Sequence, residues 1–268
     1  MRTIPLVAWS VFKESVRDKV LYNLVFFAVL LIGASYLISQ LTAGQDLKII
    51  KDLGLAASSV FGLFIAVFIG VGLVWKEVER RSVYALLAKP LRRSELVLGK
   101  YLGLVLTLAV NLAVMALALY GVLAAMAWMT PPAARAAWEA PALDPALLTV
   151  FLLIFGQLAL VTAVALFFST FSTPLLSAGL TFGLYVIGHF NADLKNFEAV
   201  VESPGVAWVA RGLYYLLPNL APFDVKAQVV HGQPVAAGYV LMTLGYAALY
   251  VAALLVASSV VFERRDFK

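Results

Sequence analysis

The sequence predicts an all-α integral membrane protein with six transmembrane helices. Three features of the 268-residue chain support this fold class: 63 % of its residues are hydrophobic, its mean hydropathy is +0.94, and its apolar residues occur in long uncharged runs. A soluble domain of this length has a much smaller apolar fraction. Because a bilayer offers no water to pair with exposed backbone groups, such runs are expected to form helices.

Six apolar runs are long enough to cross the hydrocarbon core, which requires about 20 helical residues. The uncharged stretch 145–192 is too long for one span, and the polar segment from Ser169 to Pro174 divides it into two. The predicted spans are 20–40, 53–75, 101–129, 146–168, 174–191 and 236–262. No Asp, Glu, Lys or Arg lies inside these ranges, which argues against a transporter driven by an ion or proton relay.

Two other segments are expected to lie on the membrane rather than across it. Residues 4–20 predict an interfacial helix, in which Val7 and Val11 fall on the polar face. Its apolar stripe comprises Pro5, Ala8, Trp9, Phe12, Val16 and Val20. The region 191–235 is far longer than an ordinary connection and predicts short helices packed on the outer leaflet.

The distribution of basic residues predicts the orientation of the chain. The N-terminal segment, the loop 76–100 and the C-terminal tail hold 14 Lys and Arg residues, whereas the other loops hold 6. Because basic residues near spans stay in the cytoplasm, both termini and this loop are expected inside. The same rule explains the net charge of +5, which is therefore no indication of nucleic-acid binding.

The loop 76–100 is the most informative part of the chain, because it holds seven of the twenty Lys and Arg residues. Val83, Leu86 and Leu87 fall at helical spacing, and Pro90 ends that short helix. A short amphipathic helix held between two spans can transmit force to a cytoplasmic partner. The alternative interpretation is a charged topology anchor without a partner.

Several kinds of chemistry are missing from the sequence. The chain has no cysteine, which excludes disulfides and thiolate metal sites, and it has no phosphate-binding glycine loop for a nucleotide. His189 and His231 have no ligand at metal spacing, so a structural role is expected for each, and no metal or cofactor is predicted. Among the polar residues inside the spans, Asn111 and Gln157 are the best candidates for a translocation path. Most such groups only hydrogen-bond neighbouring helices.

The architecture resembles the membrane subunit of ATP-binding-cassette type-2 exporters, over essentially the whole chain. The best local match is EVERRSVYALLAKPLRRSELVLGK over residues 77–100. It is similar to the family pattern of an acidic residue, a short helix ending Leu-Leu-x-x-Pro, and then Arg, an acid and Gly-Lys before the third span. The matching positions are Glu79, Leu86, Leu87, Pro90, Arg93, Glu95, Gly99 and Lys100. Arg81-Ser82 replaces the usual Gly-Thr, which is a mild departure.

The resemblance implies a permease that works with a separate ATPase, because the ATP-binding motifs are absent from this chain. It implies a coupling helix in the loop 76–100, two membrane subunits, either identical or paralogous, and two ATPase subunits in a bacterial inner membrane. The residues it assigns to the ATPase contact are Glu79, Arg80, Arg81, Ser82, Val83, Leu86, Leu87 and Pro90. Within the family, the chain looks like the subset that includes permeases of the nitrous-oxide-reductase copper-maturation type.

Other functional classes remain open at this point. An ion-coupled transporter or channel would require an ionisable group inside the membrane. An intramembrane enzyme acting on lipids would have to use residues such as His189, Asp193 and Glu198. A non-transporting membrane anchor of an assembly complex would have the same loop 76–100.

Overall fold

The computed structural model describes residues 3–40, 46–79, 93–136, 138, 140–190, 205, 208, 211, 212, 214 and 217–264. Of the residues that are described, 86 % are helical and none lies in a strand, which confirms the all-α fold class. The helices are α1 Thr3–Val16, α2 Lys19–Ser39, α3 Asp46–Glu79, α4 Arg93–Met129, α5 Pro132–Arg135, α6 Ala146–Ser169, α7 Pro174–His189, α8 Lys226–Val230 and α9 Ala237–Arg264.

Five of these helices, α2, α3, α4, α6 and α9, are long and apolar enough to cross a membrane. The helix α7 is apolar but has only 16 residues, or about 24 Å, against the roughly 30 Å of a hydrocarbon core. The predicted break before it is confirmed, because α6 ends at Ser169 and α7 begins at Pro174, where the missing N–H of proline is tolerated.

Two helix boundaries differ from the sequence prediction: the end of the first helix and the beginning of the helix that contains the second span. The predicted helix 4–20 stops at Val16, and Asp18 begins α2 instead, because its Oδ1 accepts a hydrogen bond from the Val20 N–H at 2.9 Å. The helix α3 begins at Asp46, seven residues before the predicted span, so that it includes charged residues that were expected in a loop.

The centre of the bundle is formed by α3 and α6, which pack against each other. In α6 17 of the 24 residues are buried, as expected for a central helix that is apolar all round. A Cβ at Gly62 would lie 2.5 Å from Leu158 Cδ1, and one at Gly70 would lie 3.1 Å from Ala165 Cβ, so both glycines of α3 allow close contact with α6. By contrast, α2 and α9 lie at the periphery with most of their surface exposed.

The bundle has two distinguishable ends. At the loop end, α3 ends at Glu79 and α4 begins at Arg93; at the far end, α3 begins at Asp46 and α4 ends at Met129. The 3₁₀ turn Ala221–Phe223 and the helix α8, both within the region 191–235, lie at the far end and pack on protein. Phe223 is 1 % exposed and Val229 is fully buried, and these helices contact α3 and α6.

Candidate functional site

At the loop end, α1 is held against the beginning of α4 by a ladder of three contacts. Thr3 Oγ1 donates a hydrogen bond to Glu95 Oε2 at 3.0 Å, and Val7 and Val11 pack on the next two turns of α4. Each contact is displaced by four residues on both helices, so α1 runs alongside the first three turns of α4 in the same direction. The orientation of α1 is therefore set by α4.

Glycines of α4 make this contact possible. A Cβ at Gly99 would lie 2.7 Å from Val7 Cβ, and a Cβ at Gly103 would lie 2.6 Å from the carbonyl oxygen of Ala8 and 2.7 Å from Val11 Cβ. The prediction that Val7 and Val11 lie on a polar face is wrong, because Val11 is only 6 % exposed. The Gly-x-x-x-Gly spacing of 99 and 103 is the sequence signal that could have located this contact.

The opposite side of α1 is exposed and carries large apolar side chains beside Ser10 and Lys13. Leu6 is 69 % exposed and Trp9 is 52 % exposed, and the Trp9 ring stacks on Phe12 with their centroids 5.4 Å apart. The ammonium group of Lys13 lies 5.3 Å above the Trp9 ring, a cation–π contact that keeps the charge near the edge of the apolar surface. Such a surface is suited to the membrane interface, in keeping with the predicted interfacial helix.

Of the predicted ATPase-binding residues, the structure describes only Glu79. Glu79 is the last residue of α3, and α4 resumes at Arg93. The other predicted residues lie outside the described residues; they are Arg80, Arg81, Ser82, Val83, Leu86, Leu87 and Pro90. The structure thus describes the two helix ends that carry this loop and the helix α1 that packs beside one of them.

The two polar residues predicted for a translocation path are both buried within the subunit. Asn111 is 7 % exposed, and its Nδ2 donates a hydrogen bond to the Thr107 carbonyl oxygen at 2.6 Å, one turn earlier in α4. Gln157 is 3 % exposed and makes a contact between helices, with its Nε2 2.9 Å from Nε2 of His189 in α7. Each amide therefore has a protein partner in this conformation.

His189 connects α6 and α7 through both ring nitrogens. Its Nδ1 lies 2.8 Å from the carbonyl oxygen of Tyr185, so Nδ1 carries the proton and donates to that carbonyl. The Nε2 lies 2.9 Å from Nε2 of Gln157, so His189 joins its own helix and α6. At the next residue back, the Gly188 carbonyl accepts a hydrogen bond from the Leu220 N–H at 2.8 Å, so the end of α7 is also tied to the segment that follows Pro218.

A buried lysine occupies the far end of α3. Lys51 is fully buried; its Nζ donates a hydrogen bond to the Pro141 carbonyl oxygen at 2.9 Å and lies 4.0 Å from Asp144 Oδ2. Asp144 also receives the Ala146 N–H on Oδ1 at 2.9 Å and the Tyr120 hydroxyl on its carbonyl oxygen at 2.8 Å. This group, Lys51, Tyr120, Pro141 and Asp144, is called the far-end cluster below.

The position of Lys51 differs from the sequence prediction. Lys51 was expected in a loop outside the second span, but it lies inside α3 with its ammonium group shielded from solvent. A buried charge is tolerated only when it is paired and hydrogen-bonded, and Asp144 and Pro141 meet both conditions. Because Asp144 and Pro141 belong to the connection between α4 and α6, Lys51 joins α3 to that connection. The Tyr120 hydroxyl, which donates to the Asp144 carbonyl oxygen, ties α4 to the same place.

Among the described residues, no group of three or more His, Asp or Glu side chains is placed to hold a metal ion. Some buried polar side chains, such as that of Asn111, bond within their own helix. Three other contacts join separate elements: Lys51 with the α4–α6 connection, Gln157 with His189, and Thr3 with Glu95. Such contacts can fix the relative positions of helices.

The comparison with protein-family models identifies the kind of membrane protein to which this bundle belongs. No curated protein matches the chain. The model of the ABC-2 family transporter protein matches residues 6–267, which is nearly the whole chain from α1 to the end of α9. This match agrees with the helices that are long and apolar enough to cross a membrane, and the chain therefore belongs to the ABC-2 family of transporter proteins.

Proposed function

We propose that this chain is a permease subunit that couples ATP hydrolysis by a separate ATPase to export, or to force transmission, across the membrane. The observation that carries the proposal is the continuity of α3 and α4 on both sides of the loop 80–92. These helices have 34 and 37 residues, or about 51 and 55 Å, and so exceed the roughly 30 Å of the hydrocarbon core. A displacement of the loop is therefore transmitted directly to the spans.

The three contacts between α1 and the beginning of α4 would pass such a displacement on to α1. Because Gly103 leaves no free space against the backbone of Ala8, α1 and the first turns of α4 have to move as one body. A push on the loop 80–92 would then also shift α1, whose exposed Leu6 and Trp9 face away from the bundle. A tightly packed interface of this kind changes between discrete positions and does not deform continuously.

Leu86 and Leu87 supply the apolar part of the proposed ATPase contact, and Glu79, Arg80 and Arg81 supply its polar rim. Burial of one leucine side chain contributes about 1.5–3 kcal/mol. The remaining residues assigned to this contact are Ser82, Val83 and Pro90. ATP and magnesium bind on the partner subunit, and the permease itself carries no catalytic residue in this proposal.

A change to two aspartates tests the proposed contact. The variant Leu86→Asp with Leu87→Asp replaces apolar burial with the desolvation of two carboxylates, so a coexpressed ABC ATPase of the same organism should no longer copurify. The spans are unchanged, and normal insertion is expected. The matched control is Ala133→Asp with Ala134→Asp, an equal change on the exposed helix α5 at the far end.

The mass of the copurified complex gives a second result from the same preparation. Two permease and two ATPase subunits are expected, with two identical permeases as the main prediction and a paralogous pair as the alternative. If the double aspartate variant retains the ATPase and its ATP-dependent activity, the loop is only a topology anchor. A stable monomer that never binds an ATPase would contradict the coupling proposal as a whole.

The proposed location is a bacterial inner membrane with both termini in the cytoplasm, on the basis of the 14 basic residues on one side and 6 on the other. Because the chain has no cysteine, single cysteines at Arg81 and Arg135 can report the orientation. An impermeant thiol reagent added to intact cells should label position 135 but not position 81. The reverse labelling pattern would overturn the proposed topology.

The translocation path is proposed to form between two permease copies, with contributions from Asn111 and Gln157. Both amides are occupied by internal hydrogen bonds, so a helix shift would have to exchange those partners for cargo. The assignment to the copper-maturation subset stays a prediction.

A further inference from the structure

An apolar groove of about 490 Å³ lies between α4 and α6 on the surface of the bundle. Three alanines of α4, Ala109, Ala113 and Ala116, line one side of it, and Phe151 and Phe155 of α6 line the other. The alanines recur at helical spacing, so their short side chains leave a continuous depression along α4. The groove contains neither Asn111 nor Gln157 and is separate from the path proposed above.

The chemistry of the groove selects an apolar occupant. Of the ten residues that line it, only Tyr120 carries a polar side-chain group, and its hydroxyl already donates a hydrogen bond to the Asp144 carbonyl oxygen at 2.8 Å. A polar ligand would lose its hydrogen bonds with water there and gain none in return.

The dimensions of the groove match one leaflet of a bilayer. Eleven residues separate Ala109 from Tyr120, which corresponds to about 16 Å along α4. Half of a hydrocarbon core is about 15 Å. One end of the groove lies at Tyr120, beside the polar far-end cluster, and the other end lies near the middle of α4. An acyl chain whose headgroup is at the interface extends over the same depth of the bilayer.

A thin chain fits this groove better than a helix from another subunit. Leu117 and Leu148, on the two bounding helices, are 72 % and 58 % exposed. A docked helix would rest on these leucines, but a chain of methylene groups can pass between them to the alanines.

We infer that the groove between α4 and α6 binds a single acyl chain of a membrane lipid from the leaflet at the far end. Dispersion contacts with Phe151, Phe155 and the alanines hold the chain, because lipid tails gain no hydrophobic free energy by moving from bilayer to protein. The far-end cluster places the lipid headgroup near the entrance at Tyr120. The inference stands whether or not the ATPase proposal holds.

Photolabelling in nanodiscs tests the inference with the full-length permease. The probe is a phosphatidylglycerol with a diazirine near the middle of one acyl chain, in a bilayer of phosphatidylethanolamine and phosphatidylglycerol. Adducts mapped by mass spectrometry should concentrate on peptides that contain Ala109–Ala116 and Phe151–Phe155. The exposed helices α2 and α9 should show only the lower labelling of ordinary lipid contact. Equal labelling of all these helices would overturn the inference.

A groove-filling variant supplies the second test. In Ala113→Leu with Ala116→Leu, the added side chains occupy the depression, and labelling of the groove should be lost down to the level of α9. The matched control is Ala252→Leu with Ala253→Leu, two exposed positions of α9, which should leave groove labelling unchanged. Undiminished labelling of the filled groove would contradict the proposed site. A disulfide between two copies of an Ala116→Cys variant would also contradict it, because it would identify a protein occupant of the groove.

Discussion

The buried ammonium group of Lys51 gives a specific prediction, because it joins α3 to the connection between α4 and α6. In Lys51→Met the side chain keeps nearly the same length and apolar stem but loses its charge and its donors. The Pro141 carbonyl oxygen then lacks its donor at 2.9 Å, and the Asp144 carboxylate loses its neighbour at 4.0 Å. Asp144 is 13 % exposed at its side chain and keeps the hydrogen bond from the Ala146 N–H, so it is only partly unsatisfied.

The expected loss of stability follows from these contacts. A hydrogen bond to a charged group contributes about 1.5–3 kcal/mol. The attraction between charges 4 Å apart is about 4 kcal/mol at an effective dielectric constant of 20, but the desolvation of the buried ammonium offsets most of it. We therefore expect Lys51→Met to lower the free energy of unfolding by about 2 kcal/mol, or to lower the melting temperature by about 4–8 °C.

Thermal unfolding in detergent, followed by intrinsic fluorescence, measures this shift. Lys226→Met is the matched control, because Lys226 lies 3.6 Å from Asp224 in a pair whose side chains are 26 % and 44 % exposed. Exposed pairs of this kind contribute at most about 1 kcal/mol. The double variant Lys51→Met with Asp144→Asn should recover part of the loss, with a coupling of about 1 kcal/mol. An unchanged melting temperature for Lys51→Met, or zero coupling, would refute the reasoning.

Two further substitutions examine the contacts between helices. Gly103→Leu should displace α1, because its Cβ would lie 2.6 Å from the backbone oxygen of Ala8. The measurement is limited proteolysis, in which α1 should be cleaved faster than in the wild type. The control Gly121→Leu, whose Cβ would have nothing within 4 Å, should behave as wild type. If α1 stays protected in the Gly103 variant, the ladder is not rigid. Gln157→Leu should lower the stability by about 1 kcal/mol through the lost contact with His189, as measured by the same thermal unfolding. If transport is lost with no change in stability, Gln157 serves the translocation path and not the helix contact.

The sequence was sufficient for the features that depend on local composition. Long apolar runs predicted the helices, and the segment from Ser169 to Pro174 predicted the break between α6 and α7, because a run of uncharged residues and a proline act where they stand in the chain. The residues of the loop 80–92 were assigned by their spacing and by family resemblance. Those assignments stay predictions, since all of them except Glu79 lie outside the described residues.

Only the tertiary structure decided which face of each helix is buried. In a membrane the lipid-facing side and the protein-facing side are both apolar, so the periodicity of hydrophobic residues does not distinguish them. The pairing of Val11 with Gly103, the contact of Lys51 with Pro141 and that of Gln157 with His189 join residues 92, 90 and 32 positions apart. Each of these contacts depends on how distant parts of the chain approach one another. Local sequence can mark where a helix allows close approach, as Gly99 and Gly103 do, but it does not identify the partner.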